Sequence, residues 1–326
     1  MDQRTPQPAI QHILGNIFLV FAAITLPGSA WSMFGWLHAF LPLIVFTFLC
    51  RYGVTVGSRF ILAGSGIAAI TGIIVPSLSL PVFSFSMIPA GYMLARSGLG
   101  GDGPALSGLK SSAVLVVCWA LLIAALGVTT GVSPYNSLID TLNAGIGETL
   151  SHYRQSGSLD PDAMMVLEST LYQMKVVLPI IMPAIFICCA LFTIWVTMVL
   201  GNRLAVRLCN RSVWPRYRFW QLPEKLIWLA IVCAIPAVLP GLPRNAAVNL
   251  LIILSLVYCF QGFALCVFFM HKWRVPLLFR SFIYVMIVFQ SFGTLALLMA
   301  GVADVWFDFR KLNPEIPKSD EDSVDD

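Results

Sequence analysis

The chain has 326 residues, of which 58% are hydrophobic and only 11% are charged, with a formal net charge of +4. Globular domains carry about 25% charged residues, and a water-soluble core does not need this much apolar surface. The composition therefore excludes an ordinary soluble protein and predicts an integral membrane protein.

Nine apolar runs qualify as candidate spans, since a membrane-spanning helix needs about 20 mostly apolar residues. In lipid the backbone must satisfy its own hydrogen bonds, so each run is read as a helix. Eight spans, or one re-entrant segment, fit nearly as well, because two of the runs are short. The predicted fold is an all-α, polytopic membrane protein with about eight to nine transmembrane helices. The runs cover approximately residues 12–30, 34–50, 60–76, 79–95, 111–131, 176–200, 224–240, 246–270 and 277–300.

A stripe of small residues marks the third run. Gly64, Ala68 and Gly72 recur every four residues and share one face of a helix. Small residues let helix backbones approach closely in lipid. The stripe predicts a packing surface inside the bundle or, alternatively, a face on which another membrane protein docks.

The glycine-rich loop 98–112 resembles a phosphate-binding loop only in part. Such a loop needs a lysine directly after its second glycine and a strand before its first. Here Leu109 separates Gly108 from Lys110, and the context is the end of a helix. We therefore expect no nucleotide site in this loop.

Residues 134–175 form the longest polar loop, and they carry helical signals. Asp160 suits an N-cap position and Pro161 the first position of a helix. The loop therefore predicts an external amphipathic helical hairpin between spans five and six, either lying on the membrane face or covering an outward-facing cavity as a lid. An apolar residue recurs every four positions in its first half, at Leu138, Leu142, Ile146 and Leu150.

Lysine and arginine are concentrated in four short segments, at 51–59, 96–110, 203–225 and 272–280. Cytoplasmic loops carry an excess of these residues, so a cytoplasmic N-terminus places all four segments inside. The third segment is also rich in aromatic residues. We assign it to lipid headgroups and the membrane interface rather than to nucleic acid, because it adjoins a span.

Few polar side chains interrupt the apolar runs. Gln261 lies in the middle of the eighth run and Gln290 in the middle of the ninth. Buried amides in lipid seek partners, so both are candidates for an interhelical hydrogen bond or, alternatively, for ligand binding. The sequence shows no catalytic motif and no C-x-x-C pair among its eight cysteines. We therefore expect no enzyme activity, no metal site and no cofactor.

The ninth run is followed by a short segment that mixes charges with aromatic residues. Asp304, Asp308 and Lys311 fall at i, i+4 and i+7, which predicts an amphipathic helical cap at the membrane surface. The tail 313–326 is polar and acidic, and we expect it to be disordered. Residues 1–312 are then a single transmembrane domain.

The last third of the chain resembles a known family in a small set of its residues. They are Gln261, Gly262, Asp304, Phe307, Asp308, Phe309 and Arg310. In these positions the chain resembles the YybS-like family of predicted bacterial membrane proteins, a domain of unknown function. That family is distantly similar in helix arrangement to the substrate-capture subunits of energy-coupling-factor transporters. The resemblance implies capture of a small solute and docking, through the stripe at 64–72, on a separate membrane subunit driven by ATPases.

Two functions follow from these observations. We predict a transporter-like, solute-binding protein of the bacterial inner membrane; the alternative is a structural or assembly factor for other membrane proteins. A solute-binding subunit needs a cavity of about 300 Å³ or more lined by convergent polar groups. An assembly factor instead has its amides bonded to neighbouring helices.

Overall fold

The computed structural model describes residues 10–75, 81–157 and 159–312. Every regular element in these ranges is helical, in agreement with the predicted all-α fold. Three short 3-10 turns, Gly35–Phe40, Tyr217–Phe219 and Pro236–Val238, accompany the α-helices. The predicted disorder of 313–326 lies outside the described residues. The helices are α1 Ile10–Ser29, α2 Trp31–Phe34, α3 Leu41–Ile74, α4 Pro81–Leu99, α5 Pro104–Thr130, α6 Pro134–Ser156, α7 Pro161–Cys209, α8 Lys225–Ala234, α9 Leu242–Lys272, α10 Leu277–Phe289 and α11 Ser291–Phe307.

Four helical stretches within the described ranges are long and apolar enough to cross a membrane. They are Trp31–Ile74, α5, α7 and α9. The bent pair α10–α11 makes a fifth if it counts as one span. Several apolar helices of this kind are what a membrane protein requires, while the larger number of eight or nine spans stays a prediction.

The chain reverses inside α3, at Gly53. This residue has φ 76° and ψ 166°, a conformation that favours glycine. The ring centroids of Phe48 and Phe60 lie 6.4 Å apart, whereas twelve residues of straight helix would separate them by about 18 Å. The two apolar runs predicted on either side of residues 51–59 therefore correspond to two helical segments that fold back on each other.

The chain divides into two compact units, which are described separately. Unit 1 consists of Met1–Trp214 with Ala234–Ile253, and unit 2 of Pro215–Cys233 with Leu254–Asp326. In unit 1, α3 packs against α1, α4 and α7, and α5 packs against α4 and α7.

The small-residue stripe of α3 faces the interior of unit 1. A Cβ atom on Gly64 would lie 2.7 Å from the Cβ of Val20 in α1, so only glycine allows this approach. Ala68 is fully buried and Gly72 is half-buried. The structure thus uses this face for internal packing, and docking of another protein on Gly64 would require α1 to move away.

The prolines of α7 do not end the helix. Pro183 has no N–H, so the carbonyl of Pro179, one turn earlier, loses its helical partner. The hydroxyl of Tyr135 donates to that carbonyl oxygen at 2.9 Å. A side chain from α6 therefore replaces the backbone bond that proline removes.

Asn249 of α9 forms hydrogen bonds with the next interrupted pair of backbone groups in α7. Its Oδ1 accepts from the N–H of Ala184 at 2.8 Å, and its Nδ2 donates to the carbonyl oxygen of Ile180 at 2.7 Å. These two backbone groups would bond to each other in an undistorted helix. The amide side chain is therefore inserted into the helical hydrogen-bond ladder, and both backbone groups remain satisfied.

The structure contains helices where the sequence predicts them in residues 134–175, namely α6 and the beginning of α7. Asp160 caps α7 by accepting from the N–H of Ala163 at 2.6 Å, which confirms the predicted N-cap. Gly157 ends α6 in the left-handed conformation. Arg154 of α6 pairs with Glu168 of α7 at 2.7 Å. The placement of these helices outside the membrane stays a prediction.

In unit 2, α11 and α9 cross in close contact at Gly301 and Gly262. Contacts also join Cys259 to Thr294 and Gln261 to Asp304. At the crossing, a Cβ atom on Gly301 would overlap the carbonyl oxygen of Tyr258, and one on Gly262 would overlap the backbone of α11.

The ninth apolar run is not one continuous helix. Gln290 has extended backbone angles, φ −106° and ψ 124°, and the helical segments on either side of it are bent by 100°. Its side chain is exposed. No helix continues through Gln290, because the helical hydrogen-bond ladder stops at this residue, and the position of Gln290 in the middle of a span stays a prediction.

We expect Gly301→Ala to lower the melting temperature of the purified protein in detergent. The added methyl group would overlap the backbone of α9, and overpacking of this kind costs about 1–3 kcal/mol. Gly145→Ala in α6 is the matched control, because nothing lies within 4 Å of its Cβ position and alanine favours a helix. Equal melting temperatures for the two variants would contradict the close crossing.

Candidate functional site

A buried ion pair joins the end of α11 to the residues that follow it. Nη2 of Arg310 donates to Oδ2 of Asp304 at 2.6 Å, and neither side chain has exposed surface. Asp308 turns the chain back with φ 37° and ψ 58°, a left-handed conformation that Asp and Asn adopt more readily than most residues. The helix therefore ends at Phe307, and Arg310 returns to the last turn of α11.

Gln261 of α9 is the third member of this network. Its Nε2 donates to Oδ2 of Asp304 at 2.6 Å, and its Oε1 accepts from the N–H of Leu222 at 3.1 Å. Only 4% of the residue is exposed. Both polar atoms of the amide are thus bonded to protein groups, one of them on another helix.

The segment before α8 is held against the same network. Nη1 of Arg310 donates to the carbonyl oxygens of Arg218 and Trp220, at 2.8 and 2.9 Å. Nε2 of Gln221 donates to Oδ1 of Asp308 at 3.3 Å. Sequence reasoning missed the two Arg310 contacts, because backbone carbonyl groups leave no signal in a sequence, and it missed the Gln221–Asp308 contact because the two residues lie 87 positions apart.

Two atoms of the buried pair have no hydrogen-bond partner among the described residues. They are Oδ1 of Asp304 and Nε of Arg310. A buried polar atom without a partner costs about 1–3 kcal/mol, and more when its group is charged. Oδ1 of Asp304 is therefore a buried acceptor that the described protein groups leave without a hydrogen bond.

A cavity of about 240 Å³ lies in unit 2, and Asp304 is one of its wall residues although its side chain has no exposed surface. Arg310 is not among the residues that form the wall. The wall is formed by three acidic residues, two residues with amide side chains and three apolar residues. They are Gln221, Leu222, Pro223, Glu224, Gln261, Asp304, Val305 and Asp308.

A larger cavity, of about 510 Å³, lies along α6 in unit 1. All of its wall residues come from about two turns of this helix, between Glu148 and Gln155. It is therefore a groove beside one helix, and it does not bring polar groups from separate elements together.

The residues that carry the family resemblance mostly meet in unit 2. Phe307 and Phe309 pack on each other, with ring centroids 5.7 Å apart, and both are exposed. Gln290, the other predicted ligand-binding residue, is not part of the network or of the cavity wall. The network and the α9–α11 crossing contain Gln261, Gly262, Asp304, Asp308 and Arg310.

The predicted amphipathic cap is wrong in its geometry. Asp304 is buried, whereas Asp308 and Lys311 lie beyond the helix with φ of 37° and 49°. The three residues therefore do not share a helical face. The pairing that forms instead is Asp304 with Arg310, six positions apart, which the helical spacings of three and four do not reveal.

The glycine-rich loop after α4 contains a separate polar cluster, in unit 1. Lys110 and Ser97 donate to Oδ2 of Asp102, at 2.6 and 2.5 Å. These hydrogen bonds hold the pKa of the Asp102 carboxyl below its usual value. Lys110 is thus engaged by a carboxylate of its own loop. Among the described residues, no three His, Cys, Asp or Glu side chains are grouped so that they hold a metal ion.

We expect Arg310→Met to be more destabilising than the double variant Asp304→Asn/Arg310→Met. The single change leaves a buried carboxylate without its cation, at a cost of about 3–5 kcal/mol, whereas the double change removes both charges. The free energy of unfolding, from a reversible detergent titration, tests this.

The exposed pair Arg154–Glu168 supplies the control for that comparison. Arg154→Met alone and the double variant Arg154→Met/Glu168→Gln should each change stability by about 1 kcal/mol or less. If the effects at Asp304 and Arg310 simply add, the two side chains are not coupled as the structure indicates.

Comparison with known proteins gives a family but no characterised relative. A family model for predicted membrane proteins matches residues 17–305, a range that includes Gln261 and Asp304. No curated protein and no solved structure gives a significant match. The apolar helices agree with the family description, and because the match extends over most of the sequence, the chain belongs to the predicted membrane protein family DUF2232.

Proposed function

We propose that this protein is a non-enzymatic, multi-pass protein of the bacterial inner membrane that binds a small solute beside Asp304, as the solute-binding subunit of a transporter does. One observation carries the proposal: residues from three parts of the chain form the wall of one cavity of about 240 Å³. A concave site at which several polar residues converge is suited to a small ligand.

The convergence of distant residues supports this proposal. Gln261 and Asp304 lie 43 positions apart in the chain and are joined by a hydrogen bond at the cavity. Asp308 and the 221–224 segment complete the wall. Polar groups from three parts of the chain thus meet at one place, which is the arrangement that ligand sites show.

The membrane arrangement that we propose has a cytoplasmic N-terminus and the helices around 134–175 outside. The reversal at Gly53 favours two spans within Trp31–Ile74. The 100° bend at Gln290 favours a re-entrant α10–α11 pair over a ninth span. Within unit 2, Arg310 bonds to the carbonyls of residues 218 and 220, so the chain leaves α11 beside a segment rich in arginine. The acidic tail is then cytoplasmic.

A structural or assembly factor is the alternative, and two observations favour it. Both polar atoms of Gln261 are bonded to protein groups. The cavity of about 240 Å³ is also smaller than the roughly 300 Å³ at the lower end of common ligand pockets. Under this alternative the network would only hold the 215–224 segment in place.

Native mass spectrometry of the protein, extracted gently from its own membrane, tests solute binding. We expect a small-molecule adduct on the wild-type chain and its loss in Val305→Phe, because the larger ring would fill the cavity that Val305 lines. Val302→Phe, on the same helix but outside the cavity wall, should keep the adduct. A bare mass in all three proteins, with a co-purifying membrane protein, would instead establish the assembly factor.

Reporter fusions to the C-terminus test the proposed arrangement of α10 and α11. Green fluorescent protein after residue 326 should fluoresce, and alkaline phosphatase at the same position should be inactive, because the re-entrant pair returns the tail to the cytoplasm. Fusions after residue 156 should behave in the opposite way. An active phosphatase at the C-terminus would mean that α10 and α11 together form a span.

A further inference from the structure

We propose that Arg216, Arg218 and Arg280 form a binding site for the phosphate headgroup of an anionic phospholipid. The three residues belong to unit 2, and lipid binding there does not depend on solute binding beside Asp304. Three features support the site. They are the convergence of the positive charges, the lack of an acidic partner among the described residues, and the apolar side chains that adjoin the arginines.

The three arginines come from two separate parts of unit 2 and lie near one residue. Arg216 and Arg218 belong to the segment before α8, and Arg280 is the fourth residue of α10. The positive charges of all three act on His271, at the end of α9. Partial burial, and then the charge of Arg216, lower the pKa of the Arg218 guanidinium. Like charges are therefore held within electrostatic range of one another, an arrangement that a bound anion would stabilise.

The described residues supply no anion to this cluster. Within the part of the chain that the structure describes, the basic residues that form ion pairs are Lys110, Arg154 and Arg310. Arg218 and Arg280 are half-buried, so solvent ions screen their charges only in part. Among the described residues, the cluster's side chains make one hydrogen bond, from Nε of Arg280 to the carbonyl oxygen of Val275 at 2.6 Å. Each guanidinium has five N–H donors, and a phosphate group offers oxygen acceptors in a matching geometry.

Packing holds the segment before α8 in place against α9. The guanidinium carbon of Arg218 lies 4.7 Å from the centroid of the Phe219 ring, and that ring lies 6.2 Å from the ring of Phe268 in α9. The hydroxyl of Tyr217 donates to the carbonyl oxygen of Phe260 at 2.6 Å. The segment is thus ordered before any ligand arrives, which lowers the entropic cost of binding.

Exposed apolar side chains adjoin the arginines and identify the anion as a lipid. The chain between His271 and Arg280 carries four such residues, each more than 60% exposed: Trp273, Leu277, Leu278 and Phe279. Tryptophan is typical of the membrane interface, and basic pockets beside apolar helices bind anionic headgroups. A phospholipid offers its phosphate to the arginines and its acyl chains to these side chains. A soluble phosphate or an acidic peptide would leave the apolar side chains uncovered.

Native mass spectrometry of the full-length protein in a non-ionic detergent, titrated with dioleoylphosphatidylglycerol, tests lipid binding. We expect saturable binding. Dioleoylphosphatidylcholine has the same acyl chains but no net charge, so it should bind at least about tenfold more weakly, since each basic residue adds to the attraction of an anionic lipid. Glycerol 3-phosphate at the same concentration should not displace the lipid, because it has no acyl chains. Equal binding of the two lipids, or displacement by glycerol 3-phosphate, would overturn the proposal.

Charge variants connect the binding to the cluster. Arg216→Gln and Arg218→Gln should each weaken the affinity for dioleoylphosphatidylglycerol about fivefold, the contribution expected of one basic residue. Arg218→Lys keeps the charge and should retain most of the affinity. Arg207→Gln, at an exposed arginine of α7 in unit 1, is the control and should leave the affinity unchanged. Equal weakening by Arg207→Gln would show a general effect of surface charge and would overturn the site.

The acidic residues near the C-terminus are the competing anion, and a full-length variant tests them. The triple variant Asp320→Asn/Glu321→Gln/Asp322→Asn should bind dioleoylphosphatidylglycerol as the wild type does. Lipid binding that appears only in this variant would assign the cluster to the acidic tail and overturn the lipid site. Val305→Phe, which lies at the solute cavity, should also leave lipid binding unchanged, so lipid binding and solute binding can fail independently.

Discussion

The buried pair of Asp304 and Arg310 is the contact on which the rest of unit 2 depends. Two opposite charges without exposed surface cost several kcal/mol of desolvation each, and their attraction offsets that cost only when further hydrogen bonds complete the geometry. The structure supplies those bonds from Gln261 to the carboxylate and from Arg310 to two backbone carbonyls. The pair therefore fixes three things together: the end of α11, the left-handed turn at Asp308 and the position of the 218–222 segment.

The polar side chains of the apolar helices serve the backbone in a similar way in unit 1. Asn249 bonds to both backbone groups that are separated near Pro183. Asn202 of α7 accepts from the N–H groups of Val213 and Trp214 and donates to the carbonyl oxygen of Trp214. In an apolar environment no water is available to satisfy such groups. An amide side chain, with one acceptor and two donors, is suited to replace the missing bonds.

Hydropathy predicted the helical class, because the apolar runs are long and continuous, and local rules predicted the Asp160 cap. Hydropathy did not predict the break at Gln290, since it measures how apolar a run is and not the direction of its axis. Neither neighbour of Gln290 in the chain is a glycine or a proline. The burial of Asp304 was also missed, because its partner is reached through a left-handed turn and not through helical spacing. The meeting of Gln261 with Asp304 depends on how α9 and α11 cross, which the sequence signals only through Gly262 and Gly301.

The crossing and the cavity are physically linked. Gly262 adjoins Gln261 in the chain, and Gly301 lies three residues, or nearly one helical turn, before Asp304. A change that separates α9 from α11 would therefore move the Asp304 carboxylate as well as weaken the packing. A substitution of one of the buried residues would consequently change both the stability of the protein and its binding, and the two effects could not be told apart. The charges of Glu224 and Asp308 are different, because they face the same cavity from an exposed and a half-buried position. Replacing these two carboxylates by amides would remove the charges and keep the shape of the side chains. The electrostatic field of the cavity would change, while the buried pair of Asp304 and Arg310 would stay intact. Binding can therefore be tested separately from folding at these two positions.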